Sequence, residues 1–192
     1  MFANIREDIR LGVEWHSLPS VRRAAGPRAE ALVVLVLSPE LQTVLVYRLQ
    51  AWLRSQGIPL LPNLLRRVTM LLSGVSIGDR VTVGPGLLLN HGHVVIDGET
   101  HIGPECSIAP FVTIGLNTGG PDVSFEGPIL GRFVFIGTGA KILGRVHIGH
   151  NARIGANAVV LSDVPDNCTA VGVPARIVPH ESQFGPAVKT TG

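Results

Sequence analysis

The sequence predicts a mainly β protein, a parallel β-helix of six-residue repeats behind a short α-helical segment. Two observations carry this. From Ile77 onward an aliphatic residue returns every six positions, often followed by glycine, as in Ile77-Gly78, Val83-Gly84, Ile136-Gly137, Ile148-Gly149 and Ile154-Gly155. Four positions after these aliphatics stands a second small or apolar residue: Val81, Leu87, Cys106, Val112, Val134, Ala140, Val146, Ala152 and Ala158. A period of six suits neither an amphipathic helix nor simple strand alternation. It marks a solenoid whose short units bury their inner faces only by stacking on one another.

The helical segment spans residues 1–73. Ser38 is placed to cap a helix that has Pro39 at its first position and Leu41, Leu45, Leu49, Trp52 and Leu53 along one stripe, and Gly57 ends it. A second helix begins near Pro62 and runs through Leu64, Leu65, Val68, Leu71 and Leu72 to Gly74. Both stripes are expected to be core, docked on the first turns of the solenoid.

The solenoid occupies residues 74–178. Its inward register reads Ile77, Val83, Leu89 and Val95, slips one residue to Ile102, and continues through Ile108 and Ile114. It resumes as Leu130, Ile136, Ile142, Ile148, Ile154 and Val160. Each unit is one flat strand and a tight corner, and three units make a triangular turn. Residues 116–129, LNTGGPDVSFEGPI, interrupt the register as an inserted loop, where binding groups concentrate on rigid scaffolds. Residues 179–192 are polar and punctuated by Gly and Pro, a flexible tail.

Composition narrows the function classes. The 192 residues are 45% hydrophobic, enough for one good core, and the net charge of +2 points to no particular partner. Residues 1–72 hold nine Lys/Arg against five Asp/Glu, but the arginines are scattered and lack interleaved aromatics, so nucleic-acid binding is not expected. The two cysteines, Cys106 and Cys168, have neither disulfide-framework nor zinc spacing, which fits a reduced cytoplasm. The N-terminus is no signal peptide, and Ala31 to Leu37 is far too short to span a membrane. The closest histidine pairs, His91/His93 and His147/His150, do not match the spacing of the γ-class carbonic anhydrases, so no metal site is expected.

The stretches I-G-T-G-A-K-I-L-G at Ile136 to Gly144 and V-P-D-N-C-T-A-V-G-V-P-A-R at Val164 to Arg176 resemble the left-handed parallel β-helix acyltransferases. Gly84-Pro-Gly-Leu-Leu-Leu-Asn-His91-Gly-His-Val-Val-Ile-Asp-Gly98-Glu99-Thr100, followed by Phe111-Val-Thr-Ile-Gly115, is similar to the serine acetyltransferases. The resemblance covers about residues 60 to 178. It implies left-handed coiling, a homotrimer, acetyl-CoA as co-substrate rather than a permanently bound cofactor, and direct acetyl transfer to a hydroxyl. It assigns the general base to His91, with Asn90 where the family has an aspartate. It places CoA against Gly115, Gly139, Ala140 and Ala158, with Arg176 near the nucleotide end.

Departures from that pattern bear on the acceptor. Ser76 stands where the family's ring-orienting aspartate lies, leaving Glu99 and Asp97 as candidate replacements. Glu126 and Gly127 stand where an Arg-His pair grips the serine carboxylate, and an acid cannot do that. Asn90, Ser76 and Glu126 are thus the candidate acceptor contacts. The Asn-His-Gly-His-Val-Val-Ile stretch also resembles colanic-acid and exopolysaccharide acetyltransferases, which act on sugar hydroxyls. The short helical segment speaks against the family's dimer of trimers, and the ending Thr190-Thr191-Gly192 against a cysteine synthase complex. The expectation is therefore an O-acetyltransferase acting on L-serine or a sugar hydroxyl. A non-catalytic β-helix scaffold is the alternative.

Overall fold

A computed structural model describes residues 2–58, 60–118 and 125–179. Five helices come first: α1 (Phe2–Trp15), α2 (Pro19–Ala25), α3 (Pro27–Leu37), α4 (Pro39–Ser55) and α5 (Leu60–Ser73). Strands of two to five residues then wind into a three-faced prism in which each strand but the last pairs in parallel with its counterpart one coil away. The first face stacks Ser76–Ile77, Val95–Ile96, Thr113–Gly115, Lys141–Leu143 and Val159–Val160. The second stacks Thr82–Val83, Glu99–Ile102, Glu126–Leu130 and His147–Ile148. The third stacks Leu88–Leu89, Ser107–Ile108, Phe135–Ile136, Arg153–Ile154 and Cys168–Val171.

The coil-to-coil register explains the period of six. Each short strand sends one aliphatic inward, and parallel pairing sets like on like: Ile77, Ile96, Ile114, Ile142 and Val160 on the first face, Leu89, Ile108, Ile136 and Ile154 on the third. The small residues at the fourth position, from Val81 to Ala158, fill the corners of the same buried core. Mutual burial of these stacks is what makes units too short to fold alone stable together.

In one coil the register differs from the sequence reading. Ile96, fully buried, is the inward residue, and Val95 is 43% exposed. The extra residue therefore sits one unit earlier, in the corner Asn90-His91-Gly92-His93, where His91 and His93 both take left-handed backbone angles (φ 74° and 63°). The end of α5 holds this corner in place. The His93 N–H donates to the Ser73 carbonyl (3.0 Å), and a Cβ on Gly92 would overlap that same oxygen. Val95 and Ile96 are both aliphatic, so periodicity alone could not choose between them.

The helical stripes also differ from expectation. α4 docks through Val44, Tyr47, Arg48 and Ala51, and of the expected stripe Leu41 and Leu53 are buried whereas Leu49 and Trp52 are exposed. Leu64, Val68, Leu71 and Leu72 of α5 are exposed on the single chain. Pro39 does open α4, but the Ser38 side chain makes no capping bond. A polar residue anchors the docked face. Arg48 pairs with Asp8 of α1 through two hydrogen bonds (2.8 and 3.1 Å) and donates to the carbonyls of Val83 and Gly84 (2.5 Å each). Asp8 also accepts from the Gly86 N–H (2.8 Å), so α1, α4 and the first coil meet at one fully buried ion pair.

At the far end, Arg176–Pro179 turns back and pairs antiparallel with Cys168–Val171, an element that periodicity did not foreshadow. Residues 119–124 of the inserted loop and 180–192 of the tail lie outside the described residues. Among the described residues no single helix is long and apolar enough to cross a membrane, and α3 and α4 meet at 82°.

Candidate active site

His91 lies on the prism edge between the third and first faces. The chain turns this edge once per coil, so the corners Asn90 to His93, Pro110 to Phe111, Gly139 to Ala140 and Asn157 to Ala158 stack in line. Beyond them the Ala175 N–H donates to the Val159 carbonyl (2.8 Å), bringing Arg176 to the end of the row. Three coil spacings separate His91 from Ala158, about 14 Å. The edge thus gathers His91, Gly139, Ala140, Ala158 and Arg176 from positions spread over 86 residues of chain. Ala140 and Ala158 point their methyl groups into the core, so what they offer a ligand is backbone. Phe111 fills the row between His91 and Gly139, its ring stacked on His93 with centroids 5.2 Å apart.

The His91 ring stands out from its corner, 82% exposed, and its Nδ1 lies 3.4 Å from Oε1 of Glu40, a carboxylate only 17% exposed in the first turn of α4. The two line a cavity of about 320 Å³ together with Thr43, Ser73, Gly74 and His93. Nothing in the sequence flagged Glu40, which lies 51 positions before His91 and outside every motif. Asn90 donates to the Ser107 hydroxyl (3.0 Å), and its Oδ1 is buried with no hydrogen-bond partner among the described residues. Ser76 sits one coil above Val95, its N–H donating to the Val94 carbonyl (2.8 Å).

The remaining candidates occupy the next edge, between the first and second faces. Glu99 accepts from Arg80 (3.1 Å), whose guanidinium covers the Phe125 ring, and Glu126, one coil on, pairs with Arg145 (3.3 Å). Gly115 ends its strand on this side, its carbonyl accepting from the Gly144 N–H (2.8 Å). Asp97 accepts from the Gly98 N–H (2.8 Å). Within one chain, then, the first face separates Glu99, Glu126 and Gly115 from His91.

Neither cysteine lies on the His91 edge. Cys106 is a core residue whose thiol donates to the Gly131 carbonyl (3.3 Å), and burial pushes its pKa up to about 11. At neutral pH about one part in 10⁴ of it is thiolate. Among the described residues no three of His, Cys, Asp and Glu converge in metal-binding geometry.

Comparison with known proteins agrees with this architecture. The family described as "Bacterial transferase hexapeptide (six repeats)" matches residues 127–162. The chain is 38% identical over 179 residues to a serine acetyltransferase of Synechococcus elongatus, covering 93% of this chain and 69% of that one. To the Helicobacter pylori serine acetyltransferase it is 40% identical over 149 residues, covering 76% and 84%. The solved structure of soybean serine acetyltransferase complexed with serine superposes with a TM-score of 0.76 at 32% identity, over 92% of this chain and 68% of that chain. Hexapeptide coils and these likenesses define a left-handed β-helix acyltransferase that depends on acetyl-CoA. Within that class, the chain belongs to the serine acetyltransferase family.

Proposed function

We propose that the protein transfers the acetyl group of acetyl-CoA directly to the hydroxyl of L-serine, with His91 as general base. The observation that carries the acceptor is the likeness to serine acetyltransferases at 38% and 40% identity over most of the chain. An alcohol attacks a thioester poorly until a base removes its proton as the new bond forms, and imidazole is the side chain suited to that near neutral pH. His91 takes the hydroxyl proton, the oxygen attacks the acetyl carbonyl, a backbone N–H holds the developing oxyanion, and CoA leaves as the thiolate. The inert Cys106 thiol favours this single transfer over an acetyl-cysteine intermediate. Acetyl-CoA lies along the His91 edge, its pantetheine arm against the backbone of Gly139, Ala140 and Ala158 and its nucleotide end toward Arg176.

The working form is a homotrimer. His91 and the Glu126 side lie on different edges of one prism, and a neighbouring prism set against the first face would bring two such edges together. The exposed leucines of α5 are apolar surface of the kind an assembly covers.

A sugar hydroxyl is the second reading, and one observation favours it. Glu126 offers negative charge where an amino-acid carboxylate would need a cation, and Arg145 is already paired with it. Thiol release from acetyl-CoA, followed with L-serine and in parallel with sugars and nucleotide-sugars, separates the two. Serine-dependent release supports the first reading, and release with sugars alone replaces it by the second. Acetyl-CoA binding with no release on any hydroxyl would leave a non-catalytic scaffold.

A further inference from the structure

We propose that Glu40 is a positioning residue for His91, holding the imidazole in the tautomer a general base needs. The inference rests on the reading of His91 as the base. To accept a proton through Nε2, a neutral imidazole must carry its hydrogen on Nδ1. Which nitrogen carries it is set by what the other faces. A ring as exposed as His91 would, left to water, favour the opposite tautomer, with the hydrogen on Nε2.

Among the described residues one carboxylate stands at the ring. Glu40 Oε1 stands 3.4 Å from Nδ1, both residues lining the same cavity, and among the described residues no hydrogen bond engages Nε2. The separation is longer than a good hydrogen bond, as catalytic contacts commonly are before substrate closes the site. The other acids near in sequence are engaged elsewhere: Glu99 with Arg80, and Asp97 with the Gly98 N–H. Ser76 carries no charge, and the Asn90 amide donates to Ser107.

Both partners are fixed by elements that do not depend on their contact. Glu40 is in the first turn of α4, a helix anchored on the prism by Val44, Tyr47 and the Arg48–Asp8 pair. His91 is fixed through Gly92 and His93 against the carbonyl of Ser73 at the end of α5. The helical segment therefore completes the catalytic pair rather than merely covering the end of the prism. The ring-orienting acid comes from a helix, not from the neighbouring coil.

The test is ring-nitrogen NMR of protein labelled with ¹⁵N-histidine, paired with steady-state kinetics on wild type, Glu40→Ala and Glu40→Gln. Wild-type His91 is expected to show a protonated Nδ1 and a bare Nε2, and Glu40→Ala to invert the pattern. With the inversion, kcat should fall about 10- to 100-fold while the KM for acetyl-CoA is unchanged. Glu40→Gln, nearly the same shape and able to accept from Nδ1 without the charge, should give an intermediate kcat. It carries the experiment if the alanine variant folds poorly. An unchanged His91 tautomer in the variants overturns the proposal. So does a rise in acceptor KM with kcat and tautomer unchanged, since that would make Glu40 a substrate contact. If wild type turns over no acceptor, the functional reading fails, while the nitrogen shifts still decide whether Glu40 sets the tautomer.

Discussion

Replacing Asp8 with alanine should destabilise this protein far more than any exposed ion pair would. Asp8 and Arg48 are both buried, and the carboxylate accepts two hydrogen bonds from the guanidinium and one from the Gly86 N–H. Its removal leaves a buried guanidinium with only the carbonyls of Val83 and Gly84, and an orphaned backbone donor besides. Breaking a buried pair from one side costs about 3–5 kcal/mol, because the surviving charge keeps its desolvation penalty. That cost has two outlets. Either the whole fold loses stability, or α1 swings off and admits water to Arg48. Urea unfolding at a fixed protein concentration reads the first, and amide exchange across α1 reads the second. Arg10→Ala is the control, since the bonds of Arg10 to Glu7 and Glu14 are exposed and worth less than about 1 kcal/mol. The double change Asp8→Leu with Arg48→Met should recover most of the loss. If Asp8→Ala stays within about 1 kcal/mol of wild type, with α1 exchange unaltered, the pair is not the clamp described.

Ile96→Ala should cost about 2–5 kcal/mol and Val95→Ala under about 1 kcal/mol by urea unfolding, and the reverse order would restore the register read from periodicity. Cys106 provides a pH test. Its folded pKa lies near 11 against an ordinary 9.0, so the unfolded chain loses the proton first. Its contribution is complete below about pH 9 and declines as pH rises toward 11, by roughly 2–3 kcal/mol. Cys106→Ala should therefore lose less stability than wild type between about pH 8 and pH 10.5, and equal losses would count against the burial argument. His91→Ala should abolish thiol release while CoA binding, read by calorimetry, survives; an undiminished rate would remove His91 from the mechanism. Glu126→Arg should raise any activity on L-serine, and no change or a fall would detach Glu126 from acceptor choice.

Much of the solenoid was legible because its information is local. A strand of two residues and a tight corner repeat within six positions, so the inward aliphatics and their small companions announce the coil before any long-range contact is known. His91 was legible for a different reason: the residues around it resemble a family motif. The register at Val95 and Ile96 was not legible, because both side chains suit the core and the choice is made by the backbone of Ser73 pressing on Gly92. The docking faces of α4, in part, and of α5 were not legible for a similar reason. Leucine stripes tell which face is apolar, but not whether this chain's own prism covers it.

By itself, then, the sequence determined the repeating unit and most of its inward face, and it singled out His91 through the motif around it, all properties of neighbours along the chain. Only the tertiary structure decided that Gly139, Ala140, Ala158 and Arg176 share an edge with His91 while Glu99, Glu126 and Gly115 do not. It alone set Glu40 beside the imidazole, since a separation of 51 positions is closed by the angle at which α4 lies on the prism. That angle follows from the packing of Val44 and Tyr47 and the buried Arg48–Asp8 pair, contacts that no local pattern encodes.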